Sequence, residues 1–190
     1  MGYTKKEIIN KLGNIKINEI YSNKIINYLG NTTDTKEKYT EVIANEILNN
    51  KEKYDFNKIE QIKREKGYNK NHDGKYNPNS NRREELIAMK MFKKMYNKLG
   101  EILDYQVPLK DKKNTKAGKI DLISYNEKEN KLYLIELKND FSKESLLRCA
   151  LEIITYSKQI DIERLKKDFS LSNKTKVGKA ILIFKRNTTI

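Results

Sequence analysis

The sequence is poor in the two residue types that build disulfides and most zinc sites, with one cysteine and one histidine among 190 residues. Cys149 alone cannot form an intramolecular disulfide or a cysteine-rich zinc site, and His72 alone cannot form a metal site of several imidazoles. We expect Cys149, in an apolar helical run, to fill the core, and His72, in a polar stretch, to be a solvated loop residue. The chemistry of this chain must therefore use carboxylates, lysines, hydroxyls or tyrosines.

Long hydrophobic runs are also missing. No segment approaches the roughly 18 to 20 apolar residues that a membrane span needs, and residues 1–13 lack the continuous apolar stretch of a signal peptide. The sequence predicts a cytoplasmic protein with no membrane partner. Its 190 residues fit one domain, or one domain with an appendage, and exclude two full catalytic domains.

Positive charge is abundant, because 40 Lys and Arg residues stand against 26 Asp and Glu residues and give a net charge of +14. Residues 1–80 hold 15 basic and 11 acidic side chains, whereas residues 81–190 hold 25 and 15. The excess is therefore concentrated in the second half. Such a balance favours a polyanionic partner, although drift of the coding sequence toward lysine codons would give the same composition.

A polar segment, residues 66–81, separates two regions of different pattern. It is rich in Gly, Asn, Pro and Ser and has almost nothing to bury, which predicts a loop or linker. Before it, residues 1–65 carry apolar residues at helical spacing, with capping-box pairs at Thr4 and Glu7 and at Asp34 and Glu37. The first region is predicted to be a helical layer.

The region after the linker, residues 82–190, alternates between helical and strand-like patterns. Residues 82–99 predict a helix that ends at Gly100, and a long helix is predicted from Ser142 to Leu165. Strands are predicted over residues 102–109, 120–125, 132–138 and 177–185. The order helix, three strands, helix, strand predicts an α/β fold.

Charged residues occur inside two of these apolar strands. Asp121 lies between Ile120 and Leu122, while Glu136 and Lys138 are two positions apart and so point to one face of their strand. The turn between the strands is centred near residue 128, so Asp121 and Glu136 lie at nearly mirror positions. Two neighbouring carboxylates repel each other, and a divalent cation such as Mg²⁺ or Mn²⁺ would relieve this repulsion. In the alternative interpretation all three side chains face solvent.

The combination of these residues resembles the PD-(D/E)XK nuclease superfamily. An Asp, a hairpin of about 15 residues and a Glu-x-Lys at the end of an apolar strand follow a Glu-bearing helix, and the likeness extends over residues 81–185. Ile120 stands where the family name has proline. The resemblance implies a restriction-endonuclease-like αβββαβ core with a mixed central sheet, preceded here by the helical layer.

The resemblance also implies roles for particular residues. Asp121 and Glu136 would bind the metal and Lys138 would act on the attacking water and the phosphate. An acidic residue from the first core helix would be a further ligand, for which we prefer Glu85, since Glu84 has capping-box spacing from Asn81. Some members carry Gln-x-x-x-Tyr on the helix after the Glu-x-Lys strand, near the nucleic-acid backbone. Glu152 and Tyr156 have this spacing, with Glu in place of Gln.

Basic residues fill the loop that leads to the Asp121 strand, and they are candidates for phosphate contacts. They are Lys110, Lys112, Lys113, Lys116 and Lys119. A solvated basic loop with no ligand is the alternative.

Together these patterns predict a Mg²⁺-dependent nuclease that hydrolyses phosphodiester bonds, with the helical region supplying substrate contacts or a homodimer surface. DNA is favoured over RNA as the substrate, although the sequence does not separate the two. One alternative is a non-catalytic nucleic-acid-binding or phage anti-defence protein with the same fold. Another is a protein-binding module whose charge comes from codon drift. The sequence leaves open endonuclease against exonuclease action, and restriction against repair.

Overall fold

The computed structural model describes residues 2–72, 75, 79, 82–111, 118–139 and 142–184, and the chain forms two compact units. The first contains Met1–Glu60 and Lys143–Thr155, and the second contains Gln61–Ser142 and Tyr156–Ile190. The structure thus divides the chain differently from the predicted boundaries at residues 65 and 82. The reason is that the residues after Glu60 pack in the second unit, while a later helix contributes its first residues to the core of the first.

The first unit is helical, as predicted. It contains α1 (Lys5–Gly13), α2 (Tyr39–Asn49) and the first ten residues of α4 (Leu146–Gln159), with short 3₁₀ helices at Ile17–Ser22, Lys24–Asn27 and Phe56–Lys58. Apolar residues at helical spacing meet in its core, which is formed by Ile8, Leu12, Ile20, Ile25, Ile26, Tyr39, Val42, Ile43, Tyr54 and Leu151. Cys149, on α4, is buried, as the sequence predicted.

One of the two predicted capping boxes forms. The Thr4 side chain accepts from the Glu7 backbone N–H, and the Glu7 carboxylate accepts from the Thr4 backbone, so α1 begins where the sequence indicated. The predicted capping box at Asp34 and Glu37 does not form, so that prediction is wrong. Glu37 forms an ion pair of 2.8 Å with Lys5, and α2 begins only at Tyr39. A contact distant in sequence has replaced the local one.

The second unit is built around a five-stranded mixed sheet, which confirms the α/β class. The strands are β1 (Met95–Tyr96), β2 (Gly100–Pro108), β3 (Lys119–Asn126), β4 (Lys131–Lys138) and β5 (Lys176–Ile183), in that order across the sheet. Only β5 runs parallel to its neighbour, β4; the other pairs are antiparallel. The helices are α3 (Arg83–Met91), the end of α4, and α5 (Ile162–Asp168). In the part of the chain that the structure describes, no helix is both long and apolar enough to cross a membrane.

The helix predicted over residues 82–99 is too long, because α3 ends at Met91. Lys93 has a left-handed backbone (φ +58°), and its N–H donates to the carbonyl of Ile102 at 2.9 Å. The chain therefore turns back to pair with β2, and the apolar residues beyond Met91 serve a strand pair. Gly100 begins β2 and does not end a helix. Glycine is required at this position because φ is +75° and a Cβ would lie 1.9 Å from the carbonyl oxygen of Tyr125.

The long helix predicted from Ser142 to Leu165 is two helices. The cap of α4 is Ser145, whose hydroxyl accepts from the Arg148 N–H at 3.1 Å, and not Ser142. Asp161 interrupts the run, because its carboxylate accepts from the Arg164 N–H at 3.0 Å and starts α5. The apolar pattern continued through this break and concealed it.

The segment formed by residues 61–72 is attached to the second unit and is not a free linker. Tyr68 is fully buried, its hydroxyl accepts from the Asp161 N–H at 3.0 Å, and its own N–H donates to Asp168 at 2.7 Å. The Arg64 guanidinium lies 4.7 Å from the Tyr68 ring, donates to the Pro108 carbonyl and pairs with Asp111 at 3.2 Å. These partners are distant in sequence, so composition alone could not reveal them.

His72 is likewise not a solvated loop residue. Its Nδ1 lies 2.5 Å from a carboxylate oxygen of Asp104, which is buried, and its ring stacks on Tyr105 with centroids 4.0 Å apart. Asp104 also accepts from the N–H groups of Lys70 and Tyr105. The last residues of the 61–72 segment are therefore held against β2.

Candidate functional site

Asp121 and Glu136 follow the last paired residues at one end of the β3–β4 ladder. The paired register ends at Leu122 with Ile135, so the next residue of each strand, Asp121 and Glu136, continues the same row. Directly opposite residues of an antiparallel pair have Cβ atoms about 4.5 to 5.5 Å apart and point to one face. The paired residues of β3 and β4 thus have the hairpin symmetry that the sequence indicated, and Asp121 and Glu136 extend it by one residue on each strand.

Glu136 and Lys138 form a buried ion pair. The Lys138 Nζ lies 2.6 Å from Glu136 Oε1, and their side chains are only 12% and 3% exposed. This burial excludes the alternative in which both face solvent. A buried carboxylate is costly without a compensating charge, so Lys138 supplies part of the compensation that the sequence assigned to a cation alone.

The Asp121 carboxylate is held from both neighbouring strands. One oxygen accepts from the side-chain amide of Gln106 on β2 at 2.8 Å, and the other accepts from the Leu137 N–H on β4 at 2.9 Å. The second contact occurs where the β3–β4 ladder ends, so the side chain satisfies a backbone group that the ladder no longer serves. Both donors stabilise the ionised carboxylate.

Of the two candidate glutamates on α3, the structure connects Glu84, and not the preferred Glu85, to β4. Glu84 Oε1 accepts from the backbone and side-chain nitrogens of Asn139, directly after Lys138, at 3.3 and 3.1 Å. Glu85 pairs with Arg82, the residue before α3, at 3.7 Å. Within the described ranges no three His, Cys, Asp or Glu side chains form a group that could hold a metal, so neither Glu84 nor Glu85 forms such a group with Asp121 and Glu136.

Tyr156 packs against the start of the strand that carries Asp121. A Cβ at Gly118 would lie 1.9 Å from both Cζ and Oη of Tyr156, so the glycine makes room for the buried ring. Glu152 lies in the part of α4 that belongs to the first unit, and its Oε2 is 4.0 Å from the Nε of Arg148. The nucleic-acid roles of Tyr156 and Glu152 stay predictions.

A backbone hydrogen bond between Leu109 and Gly118 joins the two ends of the basic loop. The Leu109 N–H donates to the Gly118 carbonyl at 3.1 Å and closes the base of the loop, three residues before Asp121. Lys110 and Lys119, at its two ends, are exposed. Lys112, Lys113 and Lys116 lie outside the described residues.

We expect Gly118→Ala to reduce the free energy of unfolding by about 1 to 3 kcal/mol, because the new methyl group overpacks against the buried Tyr156 ring. The loss should be smaller when the same change is made in a Tyr156→Leu background, since the shorter side chain leaves space. Urea unfolding of the four proteins in this cycle measures the coupling. Equal losses in the two backgrounds would contradict the contact.

Sequence reasoning missed two site neighbours, Gln106 and Asn139. Gln106 had a signal available, because it is a polar residue between Tyr105 and Val107 in the strand next to the one that carries Asp121. It could be interpreted only with the β2–β3 register. Asn139 follows Lys138 in the sequence, but its contact with Glu84 depends on how α3 packs on the sheet.

Compared with known proteins, the chain matches no family model, no curated protein and no solved structure.

Proposed function

We propose that this protein is a Mg²⁺- or Mn²⁺-dependent nuclease of the PD-(D/E)XK type that hydrolyses phosphodiester bonds in DNA. The observation that carries the proposal is the row formed by Asp121 and Glu136 on adjacent strands, with Lys138 on Glu136. The restriction-endonuclease-like core is part of the same proposal. The elements follow one another in the order α3, β1, β2, β3, β4, α4, α5, β5, which is the αβββαβ succession with the short strand β1 and the helix α5 added. This order and the parallel pairing of β5 with β4 support the proposal.

The donor set suits a hard divalent cation. Mg²⁺ is usually held by one or two carboxylates, with water and substrate phosphate completing its six ligands. Asp121 and Glu136 supply two carboxylates from one row, and they would hold the ion. When bound, the ion would supply a Lewis acid for a phosphate oxygen and a water of lowered pKa.

The remaining chemistry falls to the side chains around this row. The Lys138 ammonium would donate hydrogen bonds to the phosphate oxygens, whose negative charge increases in the transition state. Gln106 and the Leu137 N–H would keep the Asp121 carboxylate oriented. Hydrolysis breaks one P–O bond, and water supplies the hydroxyl group to phosphorus and the proton to the leaving oxygen.

Basic side chains near the base of the basic loop support nucleic acid as the substrate. Burial, together with the neighbouring charges of Arg64 and Lys66, lowers the pKa of Lys70. Asp111, which begins the loop, has a pKa lowered chiefly by the hydrogen bond from the Glu65 N–H. Lys66 and Lys70 are exposed, and a phosphate that approached them would reduce the repulsion between their charges.

The test uses the full chain with linear and circular DNA, single- and double-stranded, and matched RNA. We expect DNA cleavage with Mg²⁺ or Mn²⁺ and none in EDTA, while Ca²⁺ supports binding without turnover. Equal cleavage in EDTA would contradict the metal-dependent mechanism. Binding without cleavage under every condition would favour the non-catalytic alternative, which the direct Lys138–Glu136 pair also accommodates.

A further inference from the structure

Gln106 has a backbone conformation that side chains rarely adopt inside a strand. Its φ is +50°, and among the described residues it is the one non-glycine with positive φ that lies within a helix or strand. Residues with a Cβ avoid this region, so the conformation persists only where surrounding structure enforces it. Such positions concentrate at functional sites, which makes the contacts of Gln106 informative.

A bulge in β2 brings Gln106 opposite Asp121. The β2–β3 register shifts between Ile102 and Asp104, and afterwards Tyr105 pairs with Leu122 and Val107 with Ile120. Gln106 and Asp121 are the residues between these pairs. Bulges re-aim side chains in this way next to active sites.

The row across the sheet therefore has three polar members. Gln106 on β2, Asp121 on β3 and Glu136 on β4 succeed one another, and β5 continues the row with Ile181 opposite Glu136. The amide nitrogen of Gln106 lies 2.8 Å from Asp121 Oδ1, while the Leu137 N–H fixes Oδ2 from the other side. The carboxylate is thus fixed at both oxygens by groups that belong to two different strands.

We propose that Gln106 is a positioning residue of this site, whose left-handed conformation aims its amide at Asp121 and fixes the carboxylate before ion and DNA bind. This inference rests on the proposed function. Hydrogen bonds to a metal-ligating carboxylate orient it and preserve its affinity for the ion, and their loss typically costs about 10- to 100-fold in affinity or activity.

The test is Gln106→Asn, with Gln61→Asn as the matched control. Asparagine tolerates the left-handed region better than most residues but is one methylene shorter, so the backbone is kept and the contact with Asp121 is lost. Gln61 also uses its side-chain amide, but it donates to the Ile160 carbonyl at 3.2 Å and not to a residue of the Asp121 row. Melting temperature, kcat and KM for DNA, and the Mg²⁺ concentration for half-maximal rate are measured for all three proteins.

We expect Gln106→Asn to melt within about 4 °C of wild type. Its kcat should fall about 10- to 100-fold, or its half-saturating Mg²⁺ should rise by that factor, with KM for DNA unchanged. A purely structural glutamine would change the melting temperature and not the Mg²⁺ dependence. Gln61→Asn should match wild type in every kinetic measurement.

Two failures are distinguishable. If wild type cleaves and Gln106→Asn is equally fast at equal Mg²⁺, the positioning role is overturned while the proposed function stands. If wild type never cleaves, the proposed function fails and the role of Gln106 with it. If asparagine proves destabilising, Gln106→Gly, which removes the strain at positive φ, decides by the same measurements, and full activity in that variant overturns the inference.

Discussion

Lys138→Met is expected to abolish measurable DNA cleavage, with a loss of about 10²- to 10³-fold or more, because the ammonium that would stabilise the transition-state phosphate is removed. It should also destabilise the fold. Glu136 would be left buried without the partner that now lies 2.6 Å away, and breaking a buried ion pair on one side costs about 3 to 5 kcal/mol. Cleavage assays and urea unfolding of the same preparation measure the two effects.

The double variant Glu136→Gln with Lys138→Met separates the two effects. Removing both charges leaves no uncompensated ion, so most of the stability should return, while cleavage should not. Glu163→Gln is the control, since Glu163 pairs with the mostly buried Lys166 at 3.0 Å in the same unit. Glu163 is 67% exposed, so this variant controls for the loss of a Lys–Glu pair outside the Asp121 row, and it should cleave as wild type does. A folded double variant that retained full activity would exclude Lys138 and Glu136 from catalysis.

Tyr68→Ala is expected to reduce the free energy of unfolding by about 3 to 5 kcal/mol, as for other buried aromatic side chains. The ring is fully buried, Arg64 lies over it, and its hydroxyl accepts from the Asp161 N–H. Tyr68→Phe keeps the ring and removes that hydrogen bond. Because the Asp161 N–H then loses its partner, we expect a loss of about 1 to 3 kcal/mol.

Urea unfolding measures both Tyr68 variants against Lys63→Ala, a change at an exposed position of the same 61–72 segment. The control should change stability by less than about 0.5 kcal/mol. If Tyr68→Ala were as mild as Lys63→Ala, the segment would be a loose linker, as its composition first indicated. A large loss would show that it belongs to the cooperative core of the second unit.

The sequence by itself determined the features that depend on near neighbours in the chain. Alternating and continuous apolar runs located β2, β3, β4 and β5 to within a few residues, and Thr4 with Glu7 located the start of α1. The symmetry of the β3–β4 hairpin also placed Asp121 across from Glu136, because a short turn fixes the register of the two strands it joins.

Predictions from the local pattern failed where a contact with a residue distant in sequence replaced the local hydrogen bonds. Residues 92–99 continue the apolar stripe of α3, yet pairing with β2 ends the helix at Met91, since strand hydrogen bonds replace those of further helical turns. Asp34 has the spacing of a cap, but it accepts from the Lys5 N–H instead. In both places the competing partner is invisible to a pattern read along the chain.

The tertiary structure alone decided which polar residues surround the Asp121 row. The bulge that turns Gln106 toward Asp121, the contact of Glu84 with Asn139 and the burial of Tyr68 each join residues 15 to 93 positions apart. Composition made residues 66–81 resemble a linker, since one buried tyrosine scarcely changes an average. The physical reason is the same for these three contacts. Hydrogen-bond geometry and burial depend on which parts of the chain meet after folding, whereas residue spacing indicates only which side chains share a face of one helix or strand.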